Sequence, residues 1–140
     1  MSAFIDTNVV IRHLTGDPPD FAERATRFLA EAEDLLLIDV IAAEIVYVLE
    51  SFYEVERPRV AEALRAIVAF DAVSAVDPDL LLRAIEVYGL DRLDFAEAYL
   101  VACAERSGVR VIASFDRNID RVTTVSRIEP PAAPTGDAST

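Results

Sequence analysis

Acidic side chains stand at a few places in this chain where an ordinary core or turn residue would serve. Asp6 lies in the stretch Phe4-Ile5-Asp6-Thr7-Asn8, where a short apolar run gives way to a helical pattern. Glu44 comes three residues after Ile41 and four before Val48, on or beside the apolar stripe of its helix, where a leucine would be expected. Asp94 and Glu97 are three apart and share a face at a first helical turn. Asp116 follows the strand-like run Val109 to Ala113.

Each acid has a plainer explanation. Asp94-Phe95-Ala96-Glu97 is an acceptable capping box. Glu44 taken alone reads equally well as an edge residue reaching solvent or an arginine. Taken together the acids point elsewhere. Carboxylates gathered in one crevice raise one another's pKa, and the arrangement is stable at neutral pH only with positive charge between them. A hard divalent cation meets that need. Mg²⁺ takes oxygen ligands, commonly one or two carboxylates plus waters and substrate phosphates, and requires neither His nor Cys. The chain has one of each, His13 and Cys103. His13 reads as a partly exposed helix residue, and Cys103, within an apolar helical stretch, as a small buried thiol.

The elements that position these acids alternate along the chain. Ala3 to Ile5 reads as a short strand and Val9 to Leu14 as the apolar side of a helix. Asp17-Pro18-Pro19 predicts a helix start capped by the aspartate. Leu35 to Ile38 has strand length, and Asp39 is the expected cap of a helix over Val40 to Phe52, with Ile41, Ile45, Val48 and Phe52 on one stripe. Further helices are predicted over Arg57 to Phe70, over Pro78 to Tyr88 closed by Gly89, and over Asp94 to Ser107 closed by Gly108. Short strands are expected over Val73 to Val76 and Val109 to Ala113. Strands separated by helices imply a parallel sheet covered on both faces. In such folds the productive crevice lies outside the carboxyl ends of the strands, which is where Asp6 and Asp116 stand.

Composition narrows the choices. A chain of 140 residues with 53% hydrophobic content reads as one soluble domain. The reading is residues 1–128 as that domain and residues 129–140, rich in Pro and small polar residues, as an unpacked tail. There is no apolar run of spanning length and no basic-then-apolar leader, so the expectation is a cytoplasmic protein without a membrane segment. Acidic residues number 25 against 13 arginines, lysine is absent, and the net charge is -12. Non-specific affinity for nucleic acid comes from basic side chains meeting phosphates, so any nucleic-acid chemistry needs a local device.

The ordered set FIDTNVVIRHL, DVIAAEIVYVLE, DFAEAYLVACAE and VIASFDRNID resembles the PIN-domain family, especially the toxin ribonucleases of VapBC-type toxin–antitoxin operons. The resemblance runs in order to about Ile128. It implies a compact three-layer α/β/α sandwich around a short, mainly parallel sheet. It also implies acids that bind Mg²⁺ or Mn²⁺ and hydrolyse phosphodiester bonds of RNA, leaving a 5′-phosphate and a 3′-hydroxyl. Carried onto this chain, the catalytic and metal-binding acids are Asp6, Glu44, Asp94, Glu97 and Asp116. Glu97 stands where a second Asp is usual, and Asp120 is a peripheral candidate that reads equally as a surface partner of Arg117 or Arg121. Thr7, Asn8 and Ser114 are placed to orient waters or carboxylates, and Arg12 and Arg117 to touch RNA phosphates. The resemblance further implies a small antitoxin covering the acidic cleft, and a homodimer; Phe21, Phe28, Tyr47, Phe52 and Tyr53 exceed the needs of one small core.

Two other classes compete. A non-catalytic module acting through a protein partner would retain the acids without using them. A phosphatase of the haloacid-dehalogenase type or a receiver domain also gathers acids around Mg²⁺, but each calls for a lysine near the phosphate, and this chain has none.

Overall fold

Three parallel strands run through the centre of the molecule, β1 (Ser2–Phe4), β2 (Asp34–Leu37) and β3 (Val73–Ala75), in the order β1-β2-β3. Ala3 lies opposite Leu35, and Leu36 opposite Ser74. A second parallel pair joins β4 (Val111–Ala113) to β5 (Ser126–Ile128). The computed structural model describes residues 2–134. Of the expected tail, residues 129–134 are exposed and form no regular element, while residues 135–140 lie outside the described residues.

Parallel strands cannot be joined by a tight turn, so each connection must cross over the sheet. Here each crossover within the first four strands is a pair of helices. The pair α1 (Thr7–Thr15) and α2 (Pro19–Glu31) joins β1 to β2. Next, α3 (Asp39–Ser51) and α4 (Arg57–Val68) join β2 to β3, and α5 (Pro78–Asp91) and α6 (Phe95–Ser107) join β3 to β4. A 3₁₀ turn at Arg117–Arg121 then leads toward β5. This is the expected α/β fold, a short and mainly parallel sheet packed among helices.

The core follows from the strands' apolar residues and one stripe of each helix. Leu35 and Leu37 are completely enclosed, as are Ile45, Leu64, Ile67, Leu81, Ile85 and Leu93. Tyr88 is also fully buried, so its hydroxyl must find a partner, and it donates to the Glu50 carboxylate across the α3–α5 contact. The Arg57 guanidinium lies 4.5 Å from the Tyr88 ring centroid and donates to the carbonyls of Tyr88, at 2.9 Å, and Leu93. One arginine thereby ties the start of α4 to the α5–α6 connection.

Several local expectations are corrected. The cap of α2 is Pro18, with no side-chain bond, and Pro19 occupies the first helical position; Asp17 is not the cap. Asp39 is the first residue of α3 rather than its cap, and its carboxylate accepts a hydrogen bond from the Tyr99 hydroxyl on α6. The buried stripe of α3 is Ala42, Ile45, Val46 and Leu49, which leaves Phe52 79% exposed. Gly89 does not end α5. A Cβ there would meet the Ala61 Cβ at 3.2 Å, so the glycine lets α4 and α5 approach closely, and the chain leaves the helix at Arg92, in the left-handed region at φ 61°. Gly108 closes α6 as expected, at φ 80°. The short β5 and the 3₁₀ turn carry too few apolar residues to be read from periodicity.

Candidate active site

The acids lie at the ends of β1 and β4 or on helices α3 and α6, and hydrogen bonds gather them into two groups. In the first group, Asp6 follows β1 and caps α1, with Oδ1 accepting from the Thr7 backbone N–H at 2.7 Å. Thr7 is buried, and its hydroxyl donates to Glu44 Oε1 on α3. Asp6, Thr7, Asn8 and Glu44 line one open cleft of about 320 Å³, floored by Ile11 and Val48. Glu44 is exposed and lies off the buried stripe of α3. Of its two readings, the solvated edge describes its position and the cleft describes its partner. A larger cavity, about 580 Å³ near Leu14, Tyr53 and Arg59, is lined by none of the candidate acids.

The second group joins α6 to the end of β4. Asp94 caps α6, its Oδ1 accepting from the Glu97 backbone N–H at 2.8 Å. Asp116 caps the 3₁₀ turn in the same way, its Oδ1 accepting from the Asn118 N–H at 2.9 Å. Ser114 Oγ accepts from the Asp116 N–H at 2.9 Å, which fixes the backbone that presents this acid. The Glu97 carboxyl lies beside both Asp116 and Asp94, close enough for each to act on its charge. The capping box is therefore half formed: the Asp caps, and the Glu side chain turns to its fellow acids.

The electrostatics follow from that turn. Burial, the hydrogen bond with Asp116 and the charges of Asp94 and Asp116 push the Glu97 carboxyl up to about 7. Asp116 moves the other way, held below the ordinary carboxylate range by the hydrogen bond from Glu97, by the Asn118 N–H and by the Arg121 and Arg127 charges. The two acids therefore titrate as a pair, with Glu97 the weaker acid of the two.

Between the two groups runs one polar tie. Tyr99 on α6 donates to Asp39 Oδ2 at the start of α3, so the helix carrying Glu97 is held to the helix carrying Glu44. Among the described residues, Asp39 Oδ1 is buried with no hydrogen-bond partner. The sequence gave no functional sign for this pair: Asp39 read as a cap, and Tyr99 as one more apolar member of α6.

The remaining candidates fall outside these groups. Asp120 is bound by Arg127, at 3.0 and 3.2 Å, and not by Arg117 or Arg121. Arg117 is exposed beside Asp116. Arg12 lies with its guanidinium 4.7 Å from the Phe21 ring centroid. His13 is partly exposed, as expected, with Nδ1 2.8 Å from the Thr26 hydroxyl. Cys103 is half-buried, and burial pushes its thiol up.

Among the described residues, no three or more His, Cys, Asp or Glu side chains already form a cage able to hold a metal ion. The donor chemistry nonetheless suits a hard cation. Every candidate is an oxygen donor, and burial together with the neighbouring Asp116 and Asp94 disfavours the charge on Glu97 that a cation would restore. No helix of the described residues is long and apolar enough to cross a membrane. The family model for the PIN domain matches residues 3–125, and no curated protein matches the chain.

Proposed function

The chain belongs to the PIN-domain family, whose fold is of the nuclease type, and from that membership we propose that it is a Mg²⁺- or Mn²⁺-dependent endoribonuclease. The observation that carries this reading is the Glu97 carboxyl in the first turn of α6, beside Asp94 and the Asp116 that follows β4, and pushed up to about 7 by burial and by those two acids. Asp6, Glu97 and Asp116 would hold the ion, with Glu44 and Asp94 as further ligands. When bound, the ion supplies charge neutralisation at the scissile phosphate and a water of lowered pKa.

The chain's own residues have distinct tasks. Thr7 orients Glu44 through its buried hydroxyl, leaving Glu44 Oε2 free to accept a proton from an attacking water. Ser114 and the Asn118 N–H fix Asp116. Asp94 holds the first turn of α6 and with it the direction of Glu97. Hydrolysis would leave a 5′-phosphate and a 3′-hydroxyl. The test is Mn²⁺-dependent cleavage of a panel of structured RNAs by the folded, partner-free chain, with Glu97→Gln and Asp6→Asn as controls. Cleavage by wild type and its loss in both variants supports the reading.

We further propose that the protein works in the cytoplasm as the toxin of a toxin–antitoxin pair, as a homodimer covered in its resting state by a small antitoxin. Exposed apolar side chains on α3 and just beyond it support a protein partner: Tyr47 is 68% exposed and Phe52 79%. A monomer mass by light scattering at micromolar concentration counts against the dimer. One observation favours a non-catalytic module instead, namely the separation of the acids into two groups without a ready cage. Absence of cleavage at every metal concentration would decide for the module.

A further inference from the structure

A groove between α1 and α2 adjoins the acidic cleft, lined by Asn8, Val9, Arg12, Phe21, Arg24 and Phe28 and enclosing about 370 Å³. Asn8 lines both the groove and the cleft. Two guanidiniums share one ring here: Arg12 Cζ lies 4.7 Å from the Phe21 centroid and Arg24 Cζ 5.1 Å. Both distances are within the range of cation–π attraction.

Acidic residues number 25 against 13 arginines, yet only four arginines of the described residues, Arg27, Arg83, Arg106 and Arg127, are ion-paired with a carboxylate. Arg12 and Arg24 have no such partner among the described residues, and are held beside the same ring although like charges repel. Stacking on Phe21 fixes the planar groups and leaves their N–H edges free, the geometry that grips phosphate oxygens in pairs. Phe21 and Phe28, 40% and 42% exposed, add apolar surface on which unpaired bases can rest.

We propose that the Arg12–Phe21–Arg24 groove binds the sugar–phosphate backbone of single-stranded RNA flanking the bond to be cut. Arg12 stands one helical turn beyond Asn8, ~6 Å along α1, so a strand leaving the cleft past Asn8 meets Arg12 next. The groove is the local device that a chain of net charge -12 needs in order to hold a polyanion. The inference rests on the ribonuclease reading for the identity of its ligand, but its test does not depend on cleavage.

The test uses the full chain and a fluorescein-labelled, mixed-sequence single-stranded RNA, with binding followed by fluorescence anisotropy in EDTA. Arg12→Gln and Arg24→Gln are each expected to weaken binding about fivefold or more. Each should also reduce the slope of log K against log salt by about 0.7, the value for one lost phosphate contact on a single strand. Arg12→Lys with Arg24→Lys should recover part of the affinity, and unchanged melting temperatures show that the variants fold. With Mn²⁺ present, the Gln variants should raise KM and leave kcat within about twofold. Variants that bind RNA with wild-type affinity and salt slope overturn the proposal. So does a wild-type protein that shows no RNA binding, which would leave the groove to a protein partner. RNA binding that depends on both arginines without cleavage under any condition refutes the nuclease reading and leaves this surface standing.

Discussion

Replacing Glu97 with Gln tests whether the acids form a charged cluster awaiting a cation. Gln keeps the length and a hydrogen-bond donor toward Asp116, so the change isolates charge. Moving a carboxyl from its ordinary value of 4.5 to about 7 corresponds to about 3 kcal/mol between protonation states, an upper bound that partial exposure reduces to about 1–2 kcal/mol. The raised value means that the folded protein holds the proton more tightly than the unfolded chain. Stability therefore falls as pH rises from about 4.5 to about 7 and stays low above it. In EDTA, Glu97→Gln should match wild type near pH 4 and exceed it by about 1–2 kcal/mol at pH 8, measured by urea unfolding at both pH values. With Mn²⁺ at a hundredfold excess over Kd, wild type should gain about 2.7 kcal/mol and the variant much less. A wild-type stability that stays flat between pH 4.5 and 8 in EDTA, or a variant less stable than wild type at pH 8, would refute the reasoning.

Further outcomes are expected elsewhere. Asp6→Asn should melt within about 0.5 kcal/mol of wild type in EDTA, because Asn caps a helix as well as Asp, while Asp6→Ala should lose about 1 kcal/mol; both should lose RNA cleavage and most of the Mn²⁺-dependent rise in Tm. Glu105 lies under Arg83 at 2.8 and 2.9 Å and accepts from Thr124, which pulls its carboxyl down to about 2. Its lowered value means the contribution is complete above about 4.5 and fades as pH falls toward 2, so Glu105→Gln should cost about 1–3 kcal/mol at pH 7 and nothing measurable near pH 2 by thermal unfolding. Tyr99→Phe strips Asp39 of its one hydrogen bond at a partly buried site and should cost about 1–3 kcal/mol, read from urea midpoints at constant m. Gly89→Val drives a side chain into Ala61 and should destabilise by about 1–3 kcal/mol in the same assay.

Much of this architecture was legible because apolar periodicity and helix punctuation carry it. The stripe Val60, Leu64, Ile67 is the one α4 buries, and Asp94 and Gly108 bound α6 as their residue types predict. The errors share a cause in tertiary contact. Gly89 looks like a helix stop until Ala61 is known to press against it, and α3 buries Ala42, Ile45, Val46 and Leu49, which turns Ile41 and Val48 to the half-buried edge of that stripe. Among the site residues, the strand-end rule found Asp6 and Asp116. Glu97 betrayed itself as a charge in an apolar helix. The Tyr99–Asp39 tie and the second arginine on Phe21 could not be read, because each pairs residues from different helices and nothing in local spacing records the pairing.

The capping and functional explanations of these acids prove compatible. Asp6, Asp94 and Asp116 each cap a helical element with a single oxygen, Oδ1, from a backbone N–H. A carboxylate has about four acceptor sites, so one capping bond leaves most of its capacity for another ligand. Capping also aims the group: Asp6 after β1, Asp116 after β4 and Asp94 between α5 and α6 are each fixed at the start of a helical element. Glu97 and Glu44 differ, because both lie inside helices and neither caps. Glu44 is steered by a buried hydroxyl, and Glu97 by its fellow acids. Backbone donors favour the ionised form of Asp116, whereas Glu97 has only acids for company and takes the proton. The acids thus comprise anions fixed by the backbone and, in the second group, one carboxyl whose charge depends on what else is bound, and that carboxyl is where a cation would be felt first.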